Sequence, residues 1–226
     1  MRLLAIDTAL AACAAAVLDT EQGVVIAGES VAMERGHAEA LMPLIARVMA
    51  QANLPFAALD RIAVTVGPGS FTGLRVGVAA ARGIALAASK PAVGLSTLSA
   101  FAAPHIAADA SEPLVAAIDA RHRHVYMQVF GPGGRTLVQP RIAPVEDAVS
   151  AALSPRARLV GSGAQLVAAA WPIGERPPAV DQKPAPDIAW VARLGAAATL
   201  SQALPKPLYL RAPDAQPQDA ASLPRR

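Results

Sequence analysis

The sequence predicts an α/β chain made of two similar lobes, each reading strand–strand–strand–helix–strand–helix. Three observations predict it. Short apolar runs closed by turn residues alternate with segments of helical periodicity. The order of these segments recurs in the second half of the chain. Two short sequences also recur at matching places. Leu4-Ala5-Ile6-Asp7 is echoed by Ala116-Ala117-Ile118-Asp119, and Val66-Gly67-Pro68-Gly69 by Val160-Gly161-Ser162-Gly163. The expected lobes are residues 1–105 and 106–211, with a disordered tail over 212–226.

Leu3 to Thr8 is a short apolar run ending in Asp7-Thr8, expected to be a buried strand. Ala12 to Leu18 is a second strand, Asp19 to Gly23 is turn chemistry, and Val24 to Met33 is a third strand. Next comes an amphipathic helix. Ala38, Leu41, Met42, Ile45, Val48, Met49 and Ala52 share one face, with Pro43 kinking it or lying near its start. Arg61 to Val66 is a strand, and the loop Gly67-Pro68-Gly69-Ser70-Phe71-Thr72-Gly73 leads into a small-residue helix over Leu74 to Ala88.

The second half opens with a strand over Leu114 to Asp119. A hairpin follows, His124 to Phe130 and Thr136 to Ile142 around Gly131-Pro132-Gly133-Gly134. Val145 to Leu153 is helical and Arg158 to Val160 is a strand. After Gly161-Ser162-Gly163, an apolar helix runs to Trp171. Pro172 to Pro186 reads as a proline-rich loop, and Ile188 to about Leu204 as a final helix.

Composition narrows the function classes. Of 226 residues, 54% are hydrophobic and 16% charged, which places the chain among globular proteins with a sizeable core. Much of the apolar share is alanine and only 4% is aromatic, so helices must pack closely. A net charge of +3 permits RNA contact without arguing for it. Cys13 is the only cysteine, so no internal disulfide forms and a reducing compartment is expected. No apolar stretch is expected to span a membrane, and Asp7 breaks the N-terminal run too early for a signal peptide. The expected location is the cytoplasm.

Two facing lobes of this order resemble the actin/Hsp70/sugar-kinase architecture. That resemblance implies a nucleotide between the lobes, with Asp7 and Asp119 near phosphate and metal. Gly67, Gly69, Gly161 and Gly163 would let the backbone approach it. An aspartate ending a strand also accepts backbone hydrogen bonds in a turn, and that structural role is favoured here.

A more specific likeness lies in Gly67-Pro68-Gly69-Ser70-Phe71-Thr72-Gly73-Leu74-Arg75-Val76-Gly77-Val78, which resembles the hallmark of the TsaB (YeaZ) family. Ile6-Asp7-Thr8, Gly36-His37-Ala38-Glu39, Asp119-Ala120-Arg121 with Val125-Tyr126, and Pro207-Leu208-Tyr209-Leu210-Arg211 agree with that family in order, from about residue 3 to 211. The resemblance implies a non-catalytic partner of the paralogue TsaD, working with the ATPase TsaE. TsaD transfers threonylcarbamoyl to the tRNA adenosine beside the anticodon. It further implies a heterodimer with TsaD, a homodimer when TsaD is absent, and tRNA met through the complex. No cofactor is expected on this subunit, the ATP being used by its partners, and no membrane contact is expected.

The residues themselves argue for silence. Where TsaD carries a His-x-x-x-His metal pair, this chain has Thr97 and Phe101, so no metal site is expected. The turn Asp7-Thr8-Ala9-Leu10-Ala11-Ala12 is apolar and lacks glycine, a poor phosphate cradle. His37 is expected at a helix start as a cap or packing residue, and His105 near a helix end. His122 and His124 are expected on one face of a basic strand edge.

Gly77 and Gly83 each cost a helix about 1 kcal/mol relative to alanine. A close helix contact would offset this. The expected partner interface is therefore Leu41, Met42, Ile45, Met49, Gly77, Ala80 and Ala81. Arg75 and Arg82, seven residues apart on one face, either meet RNA phosphates or an acidic partner, or lie over the lobe surface. Three other functions stay open: an active actin-like ATPase or kinase, a protease using Ser70, and a stand-alone tRNA-binding module.

Overall fold

The computed structural model describes residues 1–153, 157–200 and 203–211. The disorder expected for 212–226, and part of the stretch read as the end of the last helix, lie outside the described residues.

The chain folds as β1 (Arg2–Asp7), β2 (Ala12–Asp19), β3 (Val24–Ala32), α1 (His37–Gln51), β4 (Arg61–Gly67), α2 (Phe71–Ala88), β5 (Ala92–Ser96) and α3 (Thr97–Ala108). It continues with β6 (Leu114–Asp119), β7 (His124–Phe130), β8 (Thr136–Pro144), α4 (Val145–Leu153), β9 (Arg158–Val160), α5 (Ala164–Ala169), β10 (Val180–Asp181) and α6 (Ile188–Ala197). The strand orders are β3-β2-β1-β4-β5 and β10-β9-β6-β7-β8, which are the same order seen from opposite ends. In each sheet the first three strands pair antiparallel, and the following pairings are parallel. This is the duplicated sheet of the actin/Hsp70/sugar-kinase fold.

Each half continues past βββαβα with a further strand and helix; of these, α6 was expected from Ile188, though to about Leu204 rather than its end at Ala197. β5 and β10 were not anticipated. β5 is five residues interrupted by Gly94, and β10 is two residues inside the proline-rich stretch. Neither has enough alternating apolar residues to signal a strand. α2 begins at Phe71 rather than Leu74, because the Ser70 side chain accepts from the Gly73 N–H and caps it.

Successive side chains of a strand point to opposite faces. Leu4 and Ile6 pack with Leu41, Ile45, Val48 and Val78 of α1 and α2. Leu3 and Ala5 pack with Val191 and Ala192 of α6. Likewise Val115 and Ala117 meet α4 and α5, whereas Leu114, Ala116 and Ile118 meet Leu98, Phe101 and Ala102 of α3. α3 and α6 also touch one another. The molecule is thus layered: α1 and α2, the first sheet, α6 with α3, the second sheet, then α4 and α5. Each half lends its last helix to the middle layer. Arg61 of β4 fastens α6 by donating to the carbonyls of Gly195, Ala196 and Ala198 at 2.7, 3.1 and 2.8 Å. These include carbonyls that a helix end leaves unpaired.

α2 corrects one expectation: its 18 residues are long and apolar enough, by length and composition alone, to cross a membrane. Alanine and glycine carry that composition. Leu74, Val78, Ala81, Ile84 and Ala85 are buried against the chain's own core, while Arg75 and Arg82 are exposed.

Candidate functional site

Asp7 ends β1 and is fully buried. Its Oδ1 accepts from the Ala9 N–H at 3.1 Å and from the Thr65 hydroxyl, and its Oδ2 has no partner among the described residues. Burial pushes this carboxyl above the ordinary range. The Thr65 and Ala9 hydrogen bonds and the nearby His37 oppose that push. His37, the first residue of α1, is itself buried, and its Nε2 lies 3.1 Å from the Leu10 carbonyl. A carbonyl only accepts, so this nitrogen carries the proton and donates.

The turn after Asp7 sits on the glycine loop. The Ser70 N–H donates to the Ala9 carbonyl at 2.7 Å, and the Thr8 hydroxyl donates to the Gly73 carbonyl at 2.7 Å. A Cβ added at Gly69 would collide with the Ala9 carbonyl, one at Gly73 with the Thr8 carbonyl, and one at Gly77 with the Thr8 hydroxyl. Gly67, at φ +121°, faces the Leu208 carbonyl, and the Leu208 N–H donates to the Val66 carbonyl at 2.7 Å. The loop's glycines therefore receive the chain's own backbone. Gly161, at φ +103°, and Gly163 do the same in the second lobe, against the Ala117 carbonyl and the Asp119 amide.

Asp119 differs from Asp7. It is exposed, and its Oδ1 accepts from the Arg121 N–H at 2.7 Å. Arg121, His122 and Arg123 all adopt left-handed φ, at 64°, 50° and 56°. β7 begins only at His124, so His122 and His124 do not share a strand face as expected. The left-handed run tucks the turn back, and His124 Nδ1 contacts the His122 carbonyl at 2.8 Å. His105 pairs with Asp181 at 3.0 Å, joining α3 to β10. Thr97 and Phe101 are buried. Among the described residues no cluster of three metal-ligating side chains forms.

Ser70 and His37 line one cavity of about 310 Å³ with Glu34, Arg35, Glu39 and Thr72. Sequence spacing, which separates them by 33 positions, does not show this meeting. Even so, Ser70 Oγ accepts from the Gly73 N–H, and His37 Nε2 is engaged by Leu10. A second cavity, of about 420 Å³, is an apolar groove lined by Met42 of α1, Phe56 and Ala57, and Ala80, Gly83, Ile84, Ala87 and Ala88 of α2.

Comparison with known proteins places these features. A TsaB protein of Haemophilus influenzae is 33% identical over 174 residues, covering 72% of each chain. The chain belongs to the TsaB family. The model of the TsaD family, tRNA N6-adenosine threonylcarbamoyltransferase, matches residues 30–170. YeaZ of Pseudomonas aeruginosa superposes with a TM-score of 0.76 at 28% identity, over 92% of this chain and 99% of that one. A second Pseudomonas aeruginosa structure, an uncharacterized protein described as similar to peptidase YEAZ, gives 0.78 at 29%, over 93% and 99%. As a TsaB-family member, the chain takes part in tRNA threonylcarbamoyladenosine biosynthesis.

The expected interface of this TsaB chain needs correction. Leu41, Ile45, Met49, Gly77 and Ala81 are buried in its own core, leaving Met42 and Ala80 to reach the surface. Helical spacing identified the apolar face correctly, but that face is the one that packs on the sheet. Phe56, Ala57, Gly83 and Ala87 of the groove were missed. Their only signal was the glycine Gly83, around whose added Cβ there is open space for 4 Å among the described residues.

Proposed function

We propose that this chain is the catalytically silent partner in the cytoplasmic complex that transfers threonylcarbamoyl to tRNA. It pairs with a TsaD paralogue and works beside the TsaE ATPase. The observation that carries the silence is the seating of the Thr8 and Ala9 carbonyls over Gly73 and Gly69. Phosphate-binding loops keep such glycine faces open, so that backbone N–H groups reach the ligand. Here carbonyl oxygens, which repel phosphate, fill the space. The carboxyl of Asp7 adds to this, since it is sealed from solvent. The hydroxyl of Ser70 is spent on capping α2, which weighs against a protease.

The groove between α1 and α2 is proposed as the seat of the TsaD paralogue, and of a second copy of this chain when TsaD is absent. Its walls are almost wholly apolar, and Met42 is 48% exposed. Burying such a side chain contributes about 1.5–3 kcal/mol.

The test is reconstituted transfer to tRNA with TsaD, TsaE, the adenylate-forming enzyme, ATP, threonine and bicarbonate. The modified nucleoside is expected only when this chain is present, and Ala80→Asp is expected to remove it while the fold survives. Undiminished product without the chain sinks the partner reading. Unchanged TsaD affinity in Ala80→Asp sinks the groove alone.

A further inference from the structure

The chain's positive charge is unevenly placed. Residues 61–108 and 188–211 hold seven Lys or Arg and not one Asp or Glu. The rest of the chain carries thirteen basic and seventeen acidic residues. Folding brings the two acid-free stretches together. The segment 203–211 runs beside α2 and crosses the parallel edge of the first sheet, with Pro205 against Gly94 and Leu208 against Gly67.

At one end of α2, the Arg75 guanidinium lies 3.7 Å from the centre of the Phe71 ring and donates to the Tyr209 hydroxyl at 3.0 Å. The Phe71 and Tyr209 rings are 5.3 Å apart, and the two residues remain 49% and 46% exposed. At the other end, a cavity of about 510 Å³ lies between α2 and Leu204, with Arg82 and Lys90 in its lining and no acidic residue. An 18-residue helix is about 27 Å long, so cations and exposed rings extend over that distance. Arg75, Arg82, Lys90 and Lys206 form none of the ion pairs found among the described residues. This face adjoins the groove at Gly83, which lines both, but its charged side chains point away from it. Arg82, Leu86 and Ser89 turn one way from the α2 axis, and Ala80, Ile84 and Ala87 the other.

We infer that the face formed by α2 and segment 203–211 contacts tRNA, with Arg75, Arg82, Lys90 and Lys206 meeting phosphates and Phe71 and Tyr209 stacking on an unpaired base. The inference rests on the tRNA-modification role. Charge complementarity singles out a polyanion, and exposed rings beside an arginine favour nucleic acid over an acidic protein segment. A phosphate contact releases counterions, so each one steepens the fall of affinity with salt.

The test measures binding of an unmodified tRNA transcript to the full chain by fluorescence anisotropy, from about 50 to 200 mM salt. Arg82→Glu with Lys90→Glu is expected to weaken binding by tenfold or more, with a log–log salt slope shallower by about one per lost contact. Phe71→Ala is expected to cost about tenfold with the slope unchanged. Arg123→Glu, in the turn of the other lobe, is the control and is expected to bind as the parent does. Phe71, Arg82 and Arg123 are exposed and Lys90 is half-buried, and matching thermal melts check the fold.

Absence of saturable binding at low salt overturns the inference. So does an unchanged slope in the double variant, or an equal loss in Arg123→Glu. The omission assay separates the two claims: a chain required for transfer whose tRNA affinity ignores the reversals defeats this inference alone.

Discussion

The two lobes share one strand order yet treat their matching aspartates in opposite ways. In the first lobe Asp7 lies under a tight apolar turn, fully buried, with one oxygen unpartnered among the described residues. In the second, Asp119 is exposed beneath a turn of three left-handed residues carrying Arg121, His122 and Arg123. What the lobes hold in common is the glycine contact. Gly69 and Gly73 receive the Ala9 and Thr8 carbonyls, and Gly161 receives the Ala117 carbonyl. The shared element is steric and belongs to the topology, because a strand end must pass over the loop that follows the next parallel strand. The electrostatic setting is individual to each lobe, and it depends on what covers the turn.

The sharpest test of the shared element is substitution of its glycines. Gly73→Ala places a Cβ against the Thr8 carbonyl, which is backbone and cannot step aside. It is expected to lower stability by about 3 kcal/mol or more in chemical denaturation. Gly161→Ala adds left-handed strain to a clash with the Ala117 carbonyl and is expected to cost a similar amount. A loss below about 1 kcal/mol in either would show that the glycines are not there for close approach.

The electrostatic contrast is tested next. Asp7 is held above its unfolded value by burial. A raised carboxyl favours folding below the unfolded pKa and loses that stability as pH rises through the folded one. Asp7→Asn is therefore expected to match the parent near pH 3 and to exceed it by about 1–3 kcal/mol at pH 8. A parallel pair of stability–pH curves would break the contrast. Gly83→Ala, on the open side of α2, is expected to add about 1 kcal/mol to thermal stability, opposite in sign to Gly73→Ala. The smallest effect is expected for Asp119→Asn. Its side-chain oxygen still accepts from the Arg121 N–H, so the change should stay within about 0.5 kcal/mol.

Cys13 reflects the same inward bias of the first lobe. Its thiol is pushed up to about 11 by burial, with the negative charge of Asp7 adding to the effect. It is therefore kept in the unreactive form at neutral pH.

Much of the fold was legible in the sequence. The buried parallel strands read as continuous apolar runs, the hairpins announce themselves through glycine and aspartate, and the loop from Gly67 to Gly73 carries the family. β5 and β10 escaped because strands of five and two residues show no periodicity and, unlike the three-residue β9 before Gly161-Ser162-Gly163, neither is marked by a recurring glycine motif. His122 was misplaced because a left-handed turn built from arginine and histidine lacks the usual glycine signal. The candidate site was only half legible. Helical spacing identified the apolar faces of α1 and α2 but not which flank of each stays open, since an apolar stripe looks the same packed on a sheet as on a partner.

The sequence by itself determined the duplicated strand order and the family motif, because these depend on local residue types and their order along the chain. Only the tertiary structure decided that α3 and α6 exchange lobes, that the loop glycines are filled by Thr8 and Ala9, and that segment 203–211 lies beside α2. Those outcomes depend on which distant backbone segment reaches a given surface first, and periodicity along the chain carries no record of contact across it.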